Sequence, residues 1–289
     1  MEFLGEGFGN AQNYIDDIHR QDAKLMITIW SSFGPQTKGY RELAARDRLF
    51  KFQTWPQSGI ESQWPPRMDY PSGVCCYDPY ATESRDIYWQ NLQRLHKMGV
   101  DGWWMDSTEP DNVDMTAADF DTKVGDTRTA TFRRLRNAYP LATFGGVHDH
   151  QLATDSSKRV FIMTRSGFAG QQRYAANVWS GDVGSSWESL RAQIPAGLNF
   201  TLTGNPNYNS DGGGFFAGAY NKTWNDGSGA RNPLYRELYV RWMQYAMFCP
   251  VMRSHGTEVP REFYYYGTAG EPVYDALVGA VKLRYRLLP

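Results

Sequence analysis

Residues at predicted strand ends could do chemistry in this chain, Asp106 first among them. Asp106 lies in Asp101-Gly102-Trp103-Trp104-Met105-Asp106-Ser107-Thr108-Glu109-Pro110-Asp111, a stretch that is apolar in its middle and ends in carboxylates. Two tryptophans and a methionine read as a buried strand, and Pro110 is expected to stop it. Asp106 therefore falls where a buried strand meets a loop. Flat indole faces suit pyranose C–H surfaces, and a partly dry setting strengthens electrostatics, so the stretch suits chemistry on a sugar. A strand-end aspartate capping its loop is the plainer alternative. The second candidate, Asp182, follows Val178-Trp179-Ser180-Gly181 and could equally be a turn aspartate. Other residues at predicted strand ends are Trp30, Arg165, Asp211 and His255. Arg165 could pair with a loop carboxylate, His255 beside Arg253 could be packed or solvated, and Trp104 and Trp179 could be ordinary core.

The elements that must position these groups are legible from periodicity. Asn10 can cap a helix with Ala11, Tyr14, Ile15 and Ile18 on one face. Lys24–Trp30 reads as a buried strand. Ser31–Ser72, rich in Pro, Gly and Trp, is read as a loop-rich insertion. Ser84–Met98 is helical with Gly99 ending it, Gly102–Met105 is the central strand, and a helix is predicted over Thr127–Tyr139. Lys158–Thr164 is a further strand. Ser185-Ser186-Trp187-Glu188 reads as a capping box opening a helix with Trp187, Leu190 and Ile194 inward. Leu198–Leu202 is a possible strand, Arg236–Met247 is helical, and a last helix starts near Tyr274. Strands alternate with helices, which predicts parallel strands joined by crossovers, and the continuous apolar runs predict strands covered on both faces. Chemistry-bearing residues at one rim are what a (β/α)8 barrel produces. About six strand–helix units are readable, within a single domain spanning 1–289. An open doubly wound sheet is the alternative, though the Gly-rich phosphate turn it normally carries is missing.

Composition narrows the function. The chain has 289 residues, a net charge of −1, 41% hydrophobic, 21% charged and 15% aromatic residues. Nothing argues for nucleic acid or an acidic membrane surface, and no apolar run approaches the ~20 residues of a bilayer span. Three cysteines (Cys75, Cys76, Cys249) are too few for a disulfide framework and lack metal-ligand spacing. His148-Asp149-His150 invites a metal reading, but positions two apart do not share a helix face; no metal or cofactor is indicated. Gly212-Gly213-Gly214 reads as a tight loop, and the acidic run Asp111, Asp114, Asp119, Asp121 as a solvated one, with Asp111 near the pocket mouth. Asn199-Phe200-Thr201 and Asn221-Lys222-Thr223 match the glycosylation acceptor pattern, a common chance match. Met1-Glu2-Phe3-Leu4 does not open a signal peptide; compartment and oligomeric state are not readable, a periplasmic or secreted bacterial parent being compatible with the sequence.

Four blocks in order carry a family likeness: DGWWMDSTEPD, then VFIMTRSGFAGQQRYAANVWSGDVGSSWESL, then GNPNYNSDGGGF, then RWMQYAMFCPVMRSH. Together they resemble glycoside hydrolase family 31, the retaining α-glucosidase and α-xylosidase family, with Trp-Trp-Met-Asp closer to its bacterial α-xylosidase-like branch. Ser107 and Thr108 depart from the family's usual Met and Asn. The resemblance implies Asp106 as nucleophile and Asp182 as acid/base. It implies Arg165 and His255 as contacts to the sugar, Trp104 and Trp179 as pocket walls, and Asp211 with Arg253 as a structural or sugar-facing ion pair. Retention would place two carboxyl groups ~5–5.5 Å apart, with the Asp182 pKa raised by desolvation and by the Asp106 charge. The likeness covers strands three to eight of the barrel, so the fold expected is a truncated (β/α)8 barrel with an open sheet edge and reduced stability. The expected substrate is an oligosaccharide or small α-glycoside. Alternatives are an α-transglycosylase on the same site, a catalytically incomplete carbohydrate-binding barrel, or a metal-dependent barrel hydrolase.

Overall fold

A computed structural model describes residues 10–53, 73–110 and 115–288. Residues 54–72 of the predicted insertion, and Asp111 and Asp114 of the acidic run, lie outside them. The chain divides into two compact units, Met1–Ala176 and Asn177–Pro289.

The first unit opens with α1 (Ala11–Arg20), capped as expected by the Asn10 side chain on the Asn13 amide. Strand β1 (Met26–Trp30) follows, shorter than Lys24–Trp30 and buried only at Ile29. The stretch read as loop-rich carries structure of its own: β2 (Ser32–Phe33), α2 (Lys38–Ala44) and β3 (Leu49–Gln53). Strands β2 and β3 flank β4 (Cys75–Tyr77) in an antiparallel sheet. Helix α3 (Thr82–Met98) ends at Gly99, whose φ of 114° is the left-handed conformation glycine adopts at no steric cost. Strand β5 (Gly102–Asp106) is the predicted central strand. After it come α4 (Ala117–Phe120), the hairpin β6 (Lys123–Val124) and β7 (Ala130–Thr131), and α5 (Phe132–Leu135).

The predicted helix Thr127–Tyr139 is therefore broken. The long helix of this region, α6, runs instead over Tyr139–Thr154 with Pro140 in its first turn, where a missing N–H costs nothing. It contains His148-Asp149-His150, whose imidazoles contact different carboxylates, Asp149 and Asp86. Strand β8 (Ile162–Thr164) completes a parallel set with β1 and β5, in the register Trp103↔Ile162, Trp30↔Asp106.

The pleat sorts β5. Trp103 and Met105, 1% and 0% exposed, share a face with Ile29 and Ile162 and pack under α3 and α6 with Leu92, Phe144 and Val147. The Trp103 indole N–H donates to Gln151 Oε1 at 2.8 Å. Trp104 and Asp106 point to the opposite face. A separate cluster of Phe50, Phe52, Cys76, Val124, Phe132 and Tyr139 stabilises the antiparallel excursion.

In the second unit β9 (Ala176–Trp179) pairs in parallel with β10 (Tyr208–Asn209). Between them α7 spans Trp187–Leu202. Two expectations fail here. The cap is Ser186, whose hydroxyl accepts from the Ser189 amide, not Ser185. Leu198–Leu202 continues the helix instead of forming a strand. The expected inward face holds only at Leu190, which is buried, while Trp187 and Ile194 are 41% and 49% exposed. Helices α8 (Pro233–Ala246) and α9 (Pro272–Leu287) pack through Tyr235, Leu238, Tyr239, Trp242 and Leu277. Among the described residues no helix is long and apolar enough to cross a membrane.

Candidate active site

In the first unit Asp106 is the last residue of β5, and the chain turns at once. Ser107 takes φ 47°, an uncommon left-handed conformation for a residue with a side chain. Its amide donates to Asp106 Oδ1 at 2.8 Å, and its carbonyl accepts from Ser31 Oγ at 2.8 Å. The strand thus stops four residues before Pro110, by a side-chain turn and not by proline. That turn fixes the carboxylate while leaving it about a quarter exposed, within reach of a substrate.

Arg165 follows the last residue of β8, at the same C-terminal rim as Asp106. Its Nη1 is 3.6 Å from Asp106 Oδ1, while its Nε donates to Glu109 Oε1 at 2.6 Å and its Nη2 reaches Ser107 Oγ at 3.3 Å. Glu109 also accepts from Ser166 Oγ. One guanidinium therefore serves two carboxylates, and the loop-carboxylate alternative and the site reading both describe it. Burial pushes the Glu109 carboxyl above its ordinary range, against the pull of Arg165. Beneath the loop, the Thr108 and Thr164 hydroxyls meet at 2.8 Å in full burial. Trp104 is half-buried on the face that carries Asp106.

Sequence reasoning missed Glu109 and Ser166. Glu109 stood three residues beyond Asp106, an acidic residue between a buried threonine and a proline. Nothing local ties it to Arg165, 56 positions away.

The second unit gathers Trp179, Asp211, Arg253 and His255. Trp179 ends β9, and the Arg253 guanidinium lies over its ring at 5.3 Å. Arg253 also pairs with Asp211, which is fully buried; this is the ion pair expected from the sequence. The segments carrying Asp211 and His255 are stitched together by a bridge between Gly212 and Ser254, with the Gly212 amide donating to the Arg253 carbonyl at 3.2 Å. A Cβ at Gly212 would stand 2.2 Å from that carbonyl oxygen, so only glycine permits the approach. Ser254 is braced from behind by the Tyr239 hydroxyl at 2.7 Å.

His255 is pushed down from 6.5 to about 4 by burial, then by the Arg253 and Arg261 charges, so it stays neutral through the physiological range. Its ring packs at a 40° tilt, centroids 5.5 Å apart, on Phe215, a residue sequence reasoning did not single out.

Asp182 sits in an exposed bend after Gly181 (φ 83°). The next residue, Val183, accepts at its carbonyl from the Phe215 amide at 2.7 Å. The Asp182 loop is thereby held against the segment whose Phe215 ring packs on His255.

Comparison with known proteins gives the family. The model of the glycosyl hydrolases family 31 TIM-barrel domain matches residues 1–289. An α-xylosidase of Saccharolobus solfataricus is 33% identical over 294 residues, covering 100% of this chain and 35% of that protein. The crystal structure of a family 31 α-xylosidase from Xanthomonas citri superposes with a TM-score of 0.82 at 34% identity, covering 98% of this chain and 30% of the other. That of a family 31 α-xylosidase from a soil metagenome, complexed with xylose, gives 0.76 at 26% identity, covering 96% and 40%. The chain thus spans about a third of the length of the curated relative. Carboxylate, arginine and tryptophans at strand ends, together with a family model matching from end to end, lead to one conclusion: the chain belongs to glycosyl hydrolase family 31.

Proposed function

We propose that this chain provides the catalytic barrel of a retaining, exo-acting α-glycoside hydrolase for α-xylosides or α-glucosides, with Asp106 as nucleophile and Asp182 as acid/base. The observation that carries the reading is Asp106, locked by the Ser107 amide at the C-terminal end of a parallel strand, 3.6 Å from Arg165. An adjacent permanent cation also gives the substrate's hydroxyls a donor beside that carboxylate. The names of the relatives favour xylose or glucose as the sugar.

In this mechanism the Asp106 carboxylate attacks the anomeric carbon while the bond to the leaving oxygen breaks. The Asp182 proton passes to that oxygen. Water then attacks the glycosyl ester, surrendering a proton to Asp182 and releasing Asp106. Asp182 is exposed, so the desolvation that keeps it protonated has to come from the bound sugar. His255, neutral, would hydrogen-bond a ring hydroxyl and Trp104 would wall the sugar, while Asp211 and the ring of Trp179, only 2% exposed and so a support and not a wall, would hold Arg253 in place.

Hydrolysis of aryl α-xyloside and α-glucoside by the full-length protein tests this. Asp106→Ala should abolish turnover. Asp182→Ala should spare substrates with acidic leaving groups and recover rate with azide, yielding a glycosyl azide. Activity surviving Asp106→Ala would remove the mechanism.

A further inference from the structure

The segment after Ala217 builds a second feature in the same unit, one that shares no residue with the cluster around Asp211 and His255. An open cavity of about 920 Å³ has Lys222, Asp226, Arg231, Pro260, Tyr264 and Tyr265 in its lining. That volume falls in the range of small-molecule sites.

One wall is aromatic and held out to solvent. The unit's other central tyrosines, Tyr235, Tyr239 and Tyr266, are fully buried, whereas Tyr264 and Tyr265 are 67% and 49% exposed. Their rings lie side by side, centroids 4.7 Å apart. The turn beneath them is rigid: Tyr266 Oη donates to the Pro260 carbonyl at 2.8 Å, and Arg236 Nη2 donates to the Tyr266 carbonyl at 2.6 Å. The platform is therefore already ordered before any ligand arrives.

The carboxylate of the lining, Asp226, and the neighbouring Asn221 are engaged by the local fold. Asp226 accepts from the Ser228 hydroxyl at 2.6 Å and amide at 2.9 Å, bonds that hold its carboxyl below the usual range. Asn221 spans the Glu258 carbonyl at 2.9 Å and the Gly229 amide at 2.7 Å, which gives the glycosylation-like triplet a structural role. The Lys222 ammonium and the Arg231 guanidinium have no hydrogen-bond or ion-pair partner among the described residues. The cavity thus offers ring faces and strong donors, with little aliphatic surface. Pyranose C–H faces pack on tyrosine rings, and sugar oxygens accept from lysine and arginine.

We propose that this cavity is a saccharide-binding site, in which a sugar ring rests on Tyr264 and Tyr265 and its oxygens accept hydrogen bonds from Lys222 and Arg231. It binds without cleaving. Acetal hydrolysis needs two carboxyl groups, and Asp226, the one carboxylate lining the cavity, is engaged by Ser228. The site therefore stands apart from the catalytic reading and does not depend on it.

Native gels cast with a soluble, neutral β-glucan bearing α-xylosyl branches test it, with a xylan bearing glucuronic acid in a parallel gel. Retardation by either polysaccharide is expected for the unaltered protein and for Asp106→Ala. The double variant Tyr264→Ala/Tyr265→Ala should bind at least tenfold more weakly, and Lys222→Ala/Arg231→Ala severalfold more weakly, with melting temperatures unchanged because all four side chains lie at the surface of the cavity. Salt-sensitive preference for the xylan would show an acidic sugar selected by the two cations. Equal retardation of the tyrosine variant and the unaltered protein, or no retardation by either polysaccharide, would overturn the proposal.

Discussion

The neutral state of His255 has a measurable cost in acid. Its imidazole titrates near 4 in the folded chain, against 6.5 when unfolded, because it is buried and faces Arg253 and Arg261. A folded pKa below the unfolded one means that the unfolded chain binds the proton first. The contribution to stability is complete above pH 6.5 and is lost as pH falls through 4. The gap of about 2.5 units corresponds to about 3 kcal/mol at 1.36 kcal/mol per unit. Other groups titrate over the same window, so the informative quantity is a difference of differences. Denaturant unfolding at pH 7 and pH 4 should show the protein losing about 3 kcal/mol more than His255→Gln, which cannot titrate there. Carbon-13 chemical shifts of the His255 ring supply an independent reading. An imidazole titrating near 6.5, or an acid sensitivity unchanged in His255→Gln, would refute the account of burial and like charge.

The same structure predicts other outcomes. Arg165→Met removes the cation that opposes the burial of Glu109, whose carboxyl is then pushed further above its ordinary range. The expected loss is at least ~100-fold in kcat/KM on an aryl α-xyloside, with Glu109→Gln milder because the guanidinium keeps Asp106 company. Gly212→Ala sets a methyl 2.2 Å from the backbone carbonyl of Arg253. It should lower stability by more than ~2 kcal/mol, seen as a fall in melting temperature, and weaken sugar binding through the displaced Asp211 and His255. Trp103→Phe strips the fully buried Gln151 of its indole donor. Calorimetry should record a loss of about 2 kcal/mol or more with the substrate KM little changed, since Trp103 faces α3 and α6 and not Asp106.

Local chemistry was legible where a short-range signal decides the outcome. Gly99 ends α3 because only glycine adopts φ 114° freely. Asn10 caps α1 through an amide three residues on. Gly102–Asp106 is a strand because its apolar run admits no other use, and that alone put Asp106 at a rim. Signals degenerate over one residue were misread. Two adjacent serines compete for the α7 cap, and Ser186, not Ser185, takes it. Leu198–Leu202 carries the β-compatible composition of many helix ends, and only continuity with the preceding turns makes it helical. Tyr139–Thr154 hid its helix because Gly145 and Gly146 weaken the pattern; in the fold they admit the close approach of Tyr174 and Arg85.

By itself, then, the amino-acid order determined the family, the alternation of strands and helices and the strand-end position of Asp106, since these rest on neighbours within one or two turns of chain. Tertiary structure decided which charges meet. Arg165 is shared between Asp106 and Glu109, Arg253 is clamped between Asp211 and Trp179, and His255 is kept neutral by burial beside two arginines. Those partners lie tens of residues apart, and Coulombic attraction and desolvation depend on distance through space, which strand register sets and separation along the chain does not reveal.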